Sequence, residues 1–331
     1  MRTTAPHGKF PRATARRRRL AAARPVGRAR VAVPSIRYYR PHMTRARTVA
    51  ATEVLLVVGL VSFVAAAYAA ERILGIDGPV AVSKPIAIVM AAIPGLLWLV
   101  YFYLQDRHEP EPKHYVFALY LAGAFFAAPV SGFFVDLAAP DASTSTLPPW
   151  SAANVVWSIA VVGLAQEALK YGVVRYSIYR SAEFDEPMDG IIYMTACGIG
   201  FATYVNYKYL QGLDGSVYLS AGAANAVVVT LAHACFAGVL GYALGRAKFS
   251  PADPTRRGLV LLAGLVVAAV LNGQFRLLET AVKPAGLQVQ PWRAVAYAAG
   301  FAAAVFFVTS VLMRRHLASS PHALADAEAA R

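Results

Sequence analysis

The chain has 331 residues, 57% of them hydrophobic and only 15% charged, with a formal net charge of +14. Soluble domains carry about 25% charged residues, and one core of this length cannot hide so much apolar surface from water, so neither a soluble globular domain nor a disordered chain fits. The charge is local: residues 1–50 hold fourteen Lys and Arg and no acid, which leaves 18 basic and 18 acidic residues in the rest, so no basic groove for nucleic acid is implied.

Residues 1–50 read as a basic cytoplasmic tail. Translation from Met43, six residues before the first apolar run, would make 1–42 a mis-annotated start. Two other readings stay open: Arg16–Arg19 bind anionic headgroups, or the tail is simply solvated and fixes orientation. Eight apolar windows follow, at about 52–70, 85–104, 115–138, 152–176, 188–209, 222–245, 258–279 and 292–313. Each has the roughly 20 residues needed to cross the hydrocarbon. They lack the alternation of barrel strands, and lipid forbids open strands. The expected fold is all-α: a polytopic membrane helix bundle of about eight transmembrane helices over 51–315. The Ala-rich residues 316–331 are expected to be a disordered C-terminal tail.

Lys and Arg placement predicts the orientation. The basic tail precedes the first span, and Arg314 and Arg315 follow the last, so both termini are expected in the cytoplasm. Arg246, Lys248, Arg256 and Arg257 put the connection after span six inside. The connection around Ala139–Trp150 has no basic residue and is expected outside.

Polar residues within spans are costly and usually face the bundle or a watery cavity. Span four carries Gln166, Glu167 and Lys170, and the last two share a helix face. Span five carries Asn206. Span six carries His233, with Thr230 one turn before it. Span seven carries Asn272 and Gln274. Each has a plain structural reading: a self-neutralising Glu–Lys pair, a packing histidine, amides that glue helices. What favours chemistry is that Glu167 and His233 lie at similar depth, within roughly 5 Å at 1.5 Å per residue. A carboxylate and an imidazole at one depth are a candidate general base and polar partner for activating water. Cys197 and Cys235 read as small packing residues. Asp189, after Pro187, is expected to cap span five, and the Gly241–Gly245 step should admit a close helix neighbour.

Four stretches resemble the PrsW family of bacterial intramembrane proteases, distant relatives of the CAAX prenyl endopeptidases. Asp106-Arg-His-Glu-Pro-Glu-Pro112 resembles the family's acidic, proline-containing segment between early spans. Gln166-Glu-Ala-Leu-Lys170 resembles its paired-Glu motif with a following Lys. Glu183-Phe-Asp-Glu-Pro-Met-Asp-Gly-Ile-Ile-Tyr193, running on to Gly198-Ile-Gly-Phe-Ala202, resembles its most recognisable run. His233-Ala-Cys-Phe-Ala-Gly238 resembles its His-Ala motif. The chain departs at the first Glu of the pair, which is Gln166, at the acid before Asn206, which is Val205, and at a late His, where Leu271-Asn272 stands.

The resemblance implies an intramembrane endopeptidase, a peptide hydrolase acting in or near the transmembrane segment of a single-span membrane protein. Glu167 would deprotonate water, and His233 with an Asn would hold the oxyanion. Gln166, Lys170, Asn206 and Asn272 would support them. Relatives have been described both as metalloproteases and as glutamic proteases. Two strong ligands are too few for a catalytic zinc, which takes three, so no cofactor and no metal is expected. The expected partners are the substrate and the lipid bilayer, with no nucleic acid, in the bacterial cytoplasmic (inner) membrane. Two alternatives stand beside it. A catalytically impaired relative would bind transmembrane segments without cutting, for which Gln166 and Val205 speak. A proton- or solute-coupled transporter would use Glu167, Lys170 and His233 as a relay, although no inverted repeat is evident.

Overall fold

A computed structural model describes residues 42–105, 111–138, 148, 150–211, 216–286 and 291–318. The basic tail before residue 42, positions 106–110 of the acidic segment, most of the connection 139–149 and the tail beyond Ala318 lie outside the described residues. The chain divides into two compact units, Met1–Arg45 and Ala46–Arg331. Of the first, only residues 42–45 are described, and they are helical. The second carries the spans.

The helices are α1 (His42–Ile73), α2 (Lys84–Tyr103), α3 (Lys113–Ala138), α4 (Ala152–Ser177), α5 (Pro187–Gln211), α6 (Leu219–Phe249), α7 (Pro254–Gly286) and α8 (Pro291–Ala318). Among the described residues, eight helices are long and apolar enough to cross a membrane, one in each window read from the sequence. Most run a few residues past their windows, because polar flanking residues extend the helix once the apolar run has set it.

α5 and α6 form the centre: 83% and 78% of their spanning windows are buried, against 11% for α1. α5 packs on α2, α3 and α6, and α6 packs on α7 and α8. In lipid no hydrophobic force drives helices together, so close approach rests on small residues. Gly190, Gly241 and Gly245 lie where α5 and α6 touch backbone to backbone, which bears out the close neighbour expected at the Gly241–Gly245 step.

Two features were invisible in the sequence. α3 and α4 each contain a π-helical stretch, Gly123–Ala127 and Trp157–Gly163, a wide turn that is frequent at functional sites. β1 (Val80–Ala81) and β2 (Ser216–Val217) pair antiparallel, Val80 opposite Val217 and Ala81 opposite Ser216. They tie the α1–α2 connection to the α5–α6 connection. At the same end, Glu71 of α1 accepts from the Ser220 backbone N–H at 2.9 Å, satisfying one of the free donors at the start of α6.

At the opposite, basic end, Asp189 does cap α5, but from inside its first turn. Pro187 begins the helix, and the Asp189 carboxylate reaches back to accept from the Asp185 and Glu186 backbone N–H groups at 2.8 and 2.7 Å. This is the returning half of a capping box.

Candidate active site

The π-helical stretch of α4 ends at Gly163, three residues before Gln166. Beside it, α7 comes close enough that a Cβ on Gly273 would stand 2.7 Å from the Ser158 carbonyl oxygen. That contact brings the preceding residue, Asn272, against α4. On the other side, a Cβ on Gly198 of α5 would stand 2.6 Å from the His233 carbonyl oxygen. The turn of α6 that carries His233 therefore lies directly on α5, so helices α4, α5, α6 and α7 all contribute to one buried polar cluster.

Glu167 and Lys170 are fully buried, and His233 retains 5% of its surface. The Lys170 Nζ lies 2.6 Å from Glu167 Oε1 and 3.1 Å from His233 Nδ1. The ammonium thus sits between the carboxylate and the imidazole, across the interface of α4 and α6. It also stands over the Phe201 ring, 4.5 Å from its centroid, and Phe201 packs against the His233 ring at 5.1 Å. The Asn272 Nδ2 donates to Glu167 Oε1 at 2.7 Å and to Gln166 Oε1 at 3.0 Å. Glu167 Oε2 is buried and has no hydrogen-bond partner among the described residues.

The chemistry of this set follows from its donors and acceptors. An ammonium has only protons to offer. His233 Nδ1 therefore accepts from Lys170, which puts the ring proton on Nε2 and makes that nitrogen a donor. Glu167 Oε1 is saturated by Lys170 and Asn272. Oε2 keeps its lone pairs free for an incoming proton. One carboxylate oxygen is thus committed to holding the group in place and the other is available.

Of the residues singled out in the sequence, the structure brings Gln166, Glu167, Lys170, His233 and Asn272 together. Asn206 stands apart. Its Nδ2 donates to the Ala226 carbonyl at 3.1 Å and to Thr230 Oγ1 at 3.0 Å, one helical turn along α6 from His233. Cys197 and Cys235 are buried free thiols, and Cys197 packs at the Lys170 carbonyl with its sulfur 3.9 Å away. Phe201 was not singled out, although its aromatic ring, one turn from Gly198 in a quoted motif, was the available signal.

A second buried polar group lies at the basic end. The Tyr193 hydroxyl donates to Glu111 Oε2 and lies 3.2 Å from the Glu183 carbonyl oxygen, and Glu111 shares a hydrogen bond with Asp189. Lys248 of α6 donates to the Tyr179 and Phe184 carbonyls, holding the α4–α5 loop over the end of α6. The sequence could not show that Glu111, just before α3, and the Glu183–Tyr193 run meet here.

Among the described residues no three His, Cys, Asp or Glu side chains gather where they could hold a metal ion. Around Glu167 the donor set is one carboxylate and one imidazole, with an ammonium already between them. A catalytic zinc needs three protein ligands and would have to displace Lys170. These residues do not fit one.

Comparison with known proteins bears on the same residues. A family model described as the PrsW family intramembrane metalloprotease matches residues 111–313. The Protease PrsW of Geobacillus kaustophilus is 33% identical over 184 residues, 55% of this chain and 74% of that protein. The Protease PrsW of Bacillus subtilis is 32% identical over 197 residues, 59% of this chain and 84% of its own length. That of Clostridioides difficile is 28% identical over 187 residues, 56% and 76% of the two chains. No solved structure matches the chain.

Proposed function

Since the chain belongs to the PrsW family of intramembrane proteases, we propose that it is an active endopeptidase whose general base is Glu167. Its substrate would be a single-span membrane protein, cut in or near its transmembrane segment. The observation that carries this reading is the buried, unpartnered Oε2 of Glu167 on a carboxylate whose other oxygen is held by Lys170 and Asn272.

A transmembrane helix shields its peptide bonds, so the substrate must unwind locally before attack. Glu167 Oε2 takes a proton from water as its oxygen bonds to the scissile carbonyl carbon. The carbonyl oxygen gains the negative charge, and the Nε2–H of His233 donates to it. Glu167 then returns the proton to the amide nitrogen as the C–N bond breaks, leaving a carboxylic acid and an amine. Lys170 holds Glu167 and the His233 ring at once, fixing the tautomer that makes Nε2 a donor. Asn272 completes the orientation of the carboxylate. No step passes through a metal, in keeping with the donor set around Glu167.

The family description and the eight apolar helices make this a multi-pass membrane protein that acts on proteins in a bilayer. We place it in the bacterial cytoplasmic membrane with both termini inside, from the Lys and Arg asymmetry. Reporter fusions at Thr146 and Pro254 are expected on opposite faces; the same face for both would overturn the orientation.

A second reading is that the chain grips transmembrane segments without cutting them. Gln166 supports it, because its amide oxygen bonds Asn272 where a second carboxylate would stand. One experiment decides: cleavage of a candidate membrane substrate by the purified protein, wild type against Glu167→Gln. Cleavage by wild type that Glu167→Gln abolishes supports the protease. Binding without cleavage by both supports the gripping reading.

A further inference from the structure

At the basic end, the turn from α6 into α7 opens into a pocket of about 340 Å³ whose lining includes Arg246, Ser250, Arg256, Arg257 and Val260. We propose that this pocket binds the phosphate headgroup of an anionic phospholipid. The proposal stands apart from the proteolytic reading.

Three guanidiniums line one concavity, and like charges so gathered repel unless an anion joins them. Among the described residues none of the three forms an ion pair. The turn contains a single carboxylate, Asp253, and its Oδ1 accepts from the Arg256 backbone N–H at 3.0 Å, where it caps the start of α7. Tyr179, close enough to Arg257 to feel its charge, is a phenol that burial pushes above its usual range, against the opposing pull of Arg175. It therefore stays neutral and supplies no counter-charge.

The side chains are held so that donors remain. The Arg257 Nε donates to the Ala252 carbonyl at 2.7 Å, which fixes the guanidinium plane while its terminal nitrogens stay available. The Ser250 hydroxyl oxygen accepts from the Ala252 N–H at 3.2 Å, which leaves its own proton to give. Such a set of donors matches a ligand that only accepts, and a guanidinium matches phosphate oxygens in pairs.

The surroundings select a lipid over free phosphate. Val260 adds an apolar wall, and Leu259 and Leu262 of α7 and Phe249 of α6 are exposed beside the pocket. In a membrane those faces meet acyl chains, so a headgroup seated among the arginines has its tails alongside α7. Basic pockets between helices at a membrane face are suited to anionic headgroups.

The test is native mass spectrometry of the purified full chain in detergent with equal amounts of phosphatidylglycerol and phosphatidylcholine. Phosphatidylglycerol is expected to be retained preferentially. Arg246→Gln, Arg256→Gln and Arg257→Gln should each weaken its retention about fivefold. Arg315→Gln, an exposed charge outside the pocket, should leave it unchanged. Thermal unfolding in the same detergent checks that each variant is folded, and Arg256 is exposed, so its replacement leaves the core untouched. Equal retention of the two lipids would overturn the proposal, as would an equal loss in Arg315→Gln, the mark of diffuse attraction. Complete release of the lipid by millimolar inorganic phosphate would make this a free-phosphate site and equally reject the lipid assignment.

Discussion

Glu167 on α4 and Asp189 on α5 are both buried carboxylates, at 0% and 1% exposure, yet their oxygens are used in opposite ways. One oxygen of Asp189 receives two backbone N–H groups and closes the first turn of its own helix. Around it Glu111 and Tyr193 are joined by hydrogen bonds, and Lys248 holds the neighbouring loop by its carbonyls. Glu167 has one oxygen crowded by an ammonium and an amide and the other with no partner. Leaving a buried polar atom unpaired costs about 1–3 kcal/mol, a cost met at Glu167 Oε2 and avoided at the Asp189 oxygen that caps α5. Two clusters drawn from the same residue types therefore differ in availability.

The sharpest way to break this contrast is Glu167→Gln. The amide keeps size and an acceptor for Lys170 but cannot take a proton, so cleavage should fall about 10²–10⁴-fold in a substrate assay. The variant should also lose some stability, because a buried ammonium is left without its anion. Adding Lys170→Met should recover the thermal midpoint and leave cleavage absent. Recovery of both would reduce Glu167 to an ion-pair partner.

His233→Ala removes the Nε2 donor and the ring that Lys170 orients. The expected loss in kcat is about 10²–10³-fold, the scale of one oxyanion donor. A change confined to KM would argue that His233 only helps seat the substrate.

Asn272→Ala tests orientation alone. It deletes the bonds to Glu167 and Gln166 and keeps the base, so cleavage should drop about tenfold to a hundredfold.

The smallest effect belongs to the other cluster. Asp189→Ala should lower stability by about 1 kcal/mol through loss of a helix cap, read as a lower thermal midpoint, with kcat near wild type. Loss of cleavage in the folded protein would make Asp189 more than a cap and erase the contrast.

The helices were legible because a bilayer demands a fixed apolar length, which the eight windows state directly. The polar members of the site were legible for the complementary reason: Glu167, Lys170, His233 and Asn272 stand in segments where lipid tolerates few such groups. Helical spacing put Glu167 beside Lys170. It could not show that α4 and α6 meet, that Lys170 would stand between carboxylate and imidazole, or that Asn206 would turn to Thr230 instead. Glycines at Gly198 and Gly273 mark close contacts only once the neighbouring backbone is known.

The sequence by itself determined the class of molecule, the number and approximate positions of its spans and the inventory of polar groups within them, since each follows from local composition measured against the thickness and polarity of a membrane. Tertiary structure alone decided the use of those groups. Whether an oxygen is saturated or free depends on which donors from other helices come within about 3 Å. That is set by how helix backbones pack across glycines and by where π-helical turns rotate a face, neither of which a linear pattern of residues encodes.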